Sequence, residues 1–128
     1  MHRLLKELDA IRELSDYKIN VGIFNNNISV SITDNESVLQ SEMLFFLENG
    51  SVNFGIVATH PIERTWLTLK DEIVMAYEGC IDDILSNLRY EYRLTLLAQR
   101  IASVLKNYVT ADIRNSIECY ITRHGQKI

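Results

Sequence analysis

One proline, Pro61, stands in this chain of 128 residues, and the apolar pattern changes character around it. Upstream, short alternating runs are broken by asparagine, serine and aspartate. Downstream, apolar residues recur every three or four positions. A proline lacks an amide hydrogen and biases the residue before it towards extended geometry, so no helix runs through this point from upstream. The stretch "THPIERTWLTLKDEI", residues 59–73, also holds the only tryptophan, Trp66, with Glu63, Arg64 and Thr65 between the two. It reads as an active-site loop, a binding element or an entry into a helix.

The surrounding pattern supplies the frame. Leu4, Leu8, Ile11 and Leu14 share one helical face, Leu5 widens the stripe, and Lys6, Glu7, Arg12 and Glu13 lie elsewhere. That spacing predicts an amphipathic helix of about three turns. "KINVGIF" then alternates through Ile19, Val21 and Ile23, and "NISVSIT" through Ile28, Val30 and Ile32. Asn25 to Asn27 lie between them and suit a turn, which predicts a β-hairpin. Thr33 and Glu36 have capping-box spacing, with Asp34 as an alternative cap, and predict a short helix over "VLQSEMLFFLEN" that stops at Gly50. At least one ring of Phe45 and Phe46 should pack on the sheet or on a partner subunit. "VNFGIVA" reads as a third strand bent at Gly55.

From Thr68 onward, Leu69, Ile73, Tyr77, Ile81, Ile84 and Leu88 keep helical spacing, with Gly79 as a weak point. Leu94, Leu97, Ile101, Val104 and Tyr108 continue it, then Ile113, Ile117 and Tyr120. One helix of that length is out of scale here, so breaks belong near residues 88–94 and near Val109–Thr110, with Thr110 or Asn107 capping the last helical segment. The polar end "TRHGQKI", residues 122–128, should fray. The expectation is a single α+β domain over residues 1–128. A small antiparallel sheet, the hairpin plus a third strand, packs against an N-terminal helix and long C-terminal helices.

Composition narrows the function. Hydrophobic residues make up 47% of the chain and charged ones 23%, a balance that supports a folded core rather than disorder. Seventeen acids against 13 bases give a formal charge of -4, which argues against a dedicated nucleic-acid binder. Cys80 and Cys119 sit in apolar patterns and read as reduced, buried thiols. The charged N-terminus is no signal peptide, and no apolar run reaches membrane-spanning length, so a soluble protein from a reducing compartment is expected.

Reactive constellations are scarce. No P-loop, H-E-x-x-H or G-x-S-x-G occurs. His2, His60 and His124 are far apart in sequence. Asp82 and Asp83 are helix neighbours that do not face each other and read as a solvated face. Tyr90, Tyr92 and Tyr108 among scattered arginines admit base stacking but suit an interface equally. No enzyme, cofactor or metal site is therefore expected. Within 59–67, Trp66 reads as a core or interface anchor. Arg64 is paired with a nearby acid or set in a neighbouring subunit's pocket. A catalytic role would need a deep pocket gathering His60, Glu63 and Arg64.

Several short motifs carry a resemblance. "VGIF" occupies Val21 to Phe24. "FLENG" places Glu48 and Gly50 as E-x-G, with Asn49 at an aromatic position. "GIVATHPIERTWL" places Arg64, Trp66 and Leu67 on R-P-F-L, with Ile62 and Thr65 at proline positions and Pro61 one place early. "LTLLAQRIASVLKNYVTADIRNSI" resembles a closing helix ending in I-x-x-x-I, here Ile113 and Ile117. Over roughly residues 18–118 the chain resembles the small bacteriophage tail-completion or head-tail joining (neck) proteins typified by the tenth gene product of phage HK97.

The resemblance implies a structural virion protein: a ring, usually hexameric, at the head-proximal end of a phage tail. It would join tail terminator or tail tube protein to the head-completion or connector protein. DNA would pass through as cargo, and no membrane would be involved. It would be made in the host cytoplasm, as a monomer in solution or an oligomer. Glu48, Gly50, Pro61, Arg64, Trp66 and Leu67 become motif and subunit-interface candidates. A tail terminator ring is the nearest alternative and a homodimeric helical adaptor a further one.

Overall fold

The computed structural model describes residues 2–25 and 27–128, with side chains from residue 4 onward. The fold is α+β, with small antiparallel strand pairings packed against N-terminal and C-terminal helices. The elements are α1 (His2–Leu14), β1 (Tyr17–Gly22), β2 (Ser29–Thr33), β3 (Glu36–Leu39), α2 (Gln40–Asn49), α3 (Pro61–Leu85), α4 (Glu91–Lys106), α5 (Ala111–Arg114), β4 (Glu118–Arg123) and β5 (Gln126–Lys127). Two compact units make up the chain.

The first unit holds the N-terminal segment through Asn20, residues 69–100 and residues 119–128. Its core gathers Leu14, Tyr17, Cys80, Leu94, Ala98 and Ile121, with Ile19, Tyr77, Ile81 and Ile84 packed around them. β4 lies between β1 and β5. β4 and β5 pair antiparallel, Thr122 opposite Lys127 and Arg123 opposite Gln126, where the sequence predicts a fray. β1 is thus paired with β4 and not with β2, which corrects the expected hairpin. Residues 118–123 also correct the expected helix through Ile117 and Tyr120. Ile113, Ile117 and Tyr120 fit a helical period, but six residues with Ile121 buried fit a strand as well.

Two corrections concern polarity in this unit. An amphipathic stripe ordinarily faces a core. Of the predicted α1 stripe Leu14 is buried, at 6% exposure, beside Ala10 at 1%, while Leu4, Leu8 and Ile11 remain 57%, 49% and 52% exposed. Asp83 is buried rather than solvated, and Arg93 Nε donates to it at 2.5 Å. Gly79 makes room for that pair: a Cβ there would lie 2.7 Å from Arg93 Nη1. Cys80 is buried and Cys119 half-buried, both as free thiols.

The second unit holds residues 21–68 and 101–118. Here the hairpin is β2–β3, with Val30 opposite Val38, both buried, and Asp34–Asn35 as the turn. Aspartate and asparagine serve helix caps and tight turns alike, so the predicted cap at Thr33 and Asp34 is a hairpin turn. The helix starts later, at Gln40, where the Glu42 carboxylate accepts the Leu39 amide at 3.1 Å. α2 packs on β2, β3 and α5 through Met43, Leu44 and Leu47, and Gln40 Nε2 donates to the Asp112 carbonyl at 2.9 Å. Residues 51–56 form one isolated bridge, Ser51 with Ile56, and not the expected third strand. Phe54 in that turn packs on Phe46 at 5.5 Å, while Phe45 is exposed. Of the expected Asn25–Asn27 turn, Asn26 lies outside the described residues; Asn25 Oδ1 accepts the Asn27 amide at 3.0 Å.

Removing Arg93 strands a buried carboxylate, whereas the Arg100–Glu72 pair at 3.0 Å is half-exposed on both sides. Arg93→Ala is therefore expected to lower the thermal unfolding midpoint by several degrees and Arg100→Ala hardly at all. Circular dichroism melts of the two variants check this, and equal shifts would contradict it.

Candidate functional site

The motif residues meet where α2 ends and α3 begins. α2 stops at Gly50, whose φ of 79° and ψ of 165° belong to a region open essentially to glycine. The chain turns through residues 51–58 and returns to α2, where the Leu47 carbonyl accepts the amides of Thr59 and His60 at 2.8 and 3.1 Å. Pro61 is the first residue of α3 and is fully buried. Its missing amide costs nothing there, because the first helical amides have no intrahelical acceptor anyway. His60 is not extended, as proline would favour, but left-handed at φ 55°. α3 therefore begins at Pro61 and not at Thr68: most of 59–73 is helix.

Glu48 completes that start. Its Oε2 accepts the Ile62 amide at 2.7 Å and its Oε1 the Glu63 amide at 3.2 Å. The Arg64 amide bonds the His60 carbonyl at 2.9 Å. A carboxylate at a helix N-terminus also meets the positive end of the helix dipole. Glu48, His60 and Glu63 bring potential ligand atoms within 4.8 Å of one another. Glu48 already gives both oxygens to amides, and the positive helix end disfavours a cation, so the arrangement works as a cap.

Beyond the first turn, the side chains divide. Thr65 turns inward, and its hydroxyl donates to the Pro61 carbonyl at 2.7 Å. Arg64 lies over the Tyr108 ring at 5.9 Å, with no acid paired to it among the described residues, and Thr68 Oγ1 is 2.9 Å from the Tyr108 hydroxyl. Trp66 and Leu67 point outward, with Trp66 52% exposed and Ile62 beside them also half-exposed. Core burial of Trp66 is therefore excluded. What the site presents chemically is an apolar, aromatic surface held on a rigid helix.

A second feature is not visible in the sequence. Glu13, Asn87, Leu88, Arg89, Tyr90, Glu91, Tyr92 and Arg123 line an open cleft of about 570 Å³ in the first unit. A polar chain links three of these residues through Tyr17: the Tyr90 hydroxyl donates to Glu13 at 2.9 Å and lies 3.3 Å from the Tyr17 oxygen, and Tyr17 donates to Glu91 at 2.6 Å. Burial first, then the bond to Glu91 for Tyr17 and the bonds to Tyr17 and Glu13 for Tyr90, hold both phenols above the ordinary tyrosine value of 10.0; the bond from Tyr90 works the other way on Tyr17 but does not outweigh them. The Tyr90 hydroxyl is thus committed within the fold. Its partners Glu13 and Tyr17 lie at the far end of the chain, and no local signal links them.

No protein-family model, no curated protein and no solved structure matches this chain.

The geometry gives two testable outcomes. Glu48→Ala uncaps α3 and is expected to cost about 1–2 kcal/mol in urea unfolding; no loss would deny the cap. With Tyr17 and Tyr90 raised, the unfolded chain releases protons from pH 10.0 upward while the folded chain retains them. Stability is then full below that pH and falls as pH rises past it. Urea midpoints measured from pH 8 to 11 should decline above 10, and the decline should be shallower in Tyr90→Phe.

Proposed function

We propose that this chain is a structural virion subunit that forms a ring at the head-proximal end of a phage tail. The ring joins tail terminator or tail tube protein to the head-completion or connector protein and lets DNA pass. The observation that carries this reading is apolar surface that the described chain leaves uncovered on two helices: Leu4, Leu5, Leu8 and Ile11 on α1, and Ile62, Trp66 and Leu67 on α3. Scattered exposed hydrophobics are ordinary, but grouped ones on regular elements mark interaction surfaces. Two unlike apolar surfaces suit head-to-tail association, the kind that closes into rings.

The resemblance motifs support the same reading. Glu48, Gly50 and Pro61 fix the first turn of α3, which carries Ile62, and the turn after it carries Trp66 and Leu67 outward. A formal charge of -4 suits a lumen through which phosphates slide rather than stick. No helix among the described residues is long and apolar enough to cross a membrane. The α1 stripe also favours a second reading, a homodimeric adaptor paired through α1.

Light scattering across a wide concentration range, alone and with purified tails, separates the two. A monomer or ring precursor that assembles on tail ends is expected, and Trp66→Ala should impair assembly without unfolding the monomer. A fixed dimer indifferent to tails would replace the joining role with the adaptor.

A further inference from the structure

In the first unit, α1, the start of β1 and α3 enclose an apolar cleft of about 360 Å³, lined by Ile11, Leu14, Ser15, Tyr17, Tyr77 and Ile81. Leu14 and Tyr17 are buried and make its floor, while Ile11 stands half-exposed at its rim beside the α1 stripe. We infer that this cleft receives the Trp66 indole of a second copy of the chain. The inference rests on the subunit reading above and names the contact that reading needs.

Four observations favour that occupant. First, Trp66 is the largest apolar side chain type available, and it stands half-exposed on a helix whose first turn is pinned by Glu48. Tryptophan in a neighbour's pocket is a recurrent source of interface energy. Second, Ser15 is the cleft's one polar side chain besides the tyrosine hydroxyls. Its hydroxyl hydrogen is given to the Arg12 carbonyl at 2.6 Å, so its oxygen can still accept an indole N–H.

Third, the occupant is not the chain's own Trp66. Tyr77 and Ile81 lie on the same helix, α3, at least about 16 Å further along its axis, beyond the reach of one side chain. Fourth, the areas agree. A half-exposed leucine, isoleucine or tryptophan offers on the order of 100 Å². Leu4, Leu5, Leu8 and Ile11 on one side and Ile62, Trp66 and Leu67 on the other then bring roughly 700 Å² of apolar surface together. That matches the apolar share of an interface at the small end of the specific range, and so a concentration-dependent contact. Donor helix and receiving cleft are different surfaces, so the contact propagates head to tail.

Trp66 is the only tryptophan, so its emission reports the contact directly. Wild-type emission should shift to shorter wavelength, and acrylamide quenching should fall, as protein concentration rises or as the protein assembles on tails. Trp66→Ala lacks the donor and Ile11→Arg the receiving rim; both changes are at exposed positions that should leave the fold intact by circular dichroism. Each variant alone should self-associate roughly tenfold more weakly or worse. Mixed, they should form a 1:1 heterodimer, in which the tryptophan of Ile11→Arg enters the intact cleft of Trp66→Ala and its emission shifts.

Folded variants that stay monomeric when mixed would overturn the contact. So would wild-type emission that remains that of an exposed indole at every concentration and on tails. A protein that joins tails with Trp66 still exposed would overturn this contact and leave the proposed function standing. Burial of Trp66 by self-association without tail binding would support the contact and remove the joining role.

Discussion

The carboxylate of Glu48 at the head of α3 is the interaction on which the presentation of this molecule's outer surface depends. A long helix starts with amides that have no acceptor of their own. In α3 each is accounted for: Pro61 has none, Ile62 and Glu63 bond Glu48, and Arg64 bonds the His60 carbonyl. Because Glu48 belongs to the last turn of α2, the cap also ties one helix's end to the next one's beginning. Gly50 and the Leu47 carbonyl force the intervening chain to return to that point. The side chains of the next turn are therefore held at fixed angles, with Thr65 inward and Trp66 and Leu67 outward.

Against that ordered start stands a chain that leaves much apolar surface in water. A half-exposed leucine or isoleucine forgoes on the order of 1 kcal/mol of burial, so the four on α1 forgo about 4 kcal/mol. Association can recover such energy, but it must first overcome an entropy loss of at least similar size. The balance fits a subunit that assembles only when concentration or a template helps. The interior of the first unit is firm by contrast, with Asp83 neutralised by Arg93 and the Tyr17–Tyr90 chain tying in the side chains of Glu13 and Glu91.

Helices are legible in this sequence and strand partners are not, for a physical reason. α1, α2, α3 and α4 follow from local spacing and end signals, and the break between α3 and α4 falls close to where the spacing places it. The start of α3 is also readable, since proline at the first helical position is a start signal, but the motif-like residues after it read as a loop. Strand pairing is non-local: nothing within "KINVGIF" says that its neighbour is residues 118–123 rather than "NISVSIT". Asp83 reads as solvated because its partner, Arg93, lies beyond the next turn. The α1 stripe is the instructive case. Its amphipathic pattern is plain in the sequence, but the pattern does not say that Leu4, Leu8 and Ile11 stay exposed in the described chain.

Hydrogen exchange on dilute and assembled protein tests the subunit reading most directly. Amides of α1 and of the first turns of α3 should gain protection on assembly, while those of the hairpin β2–β3 stay unchanged. Assembly that leaves both α1 and the start of α3 exchanging as in the dilute protein would contradict it.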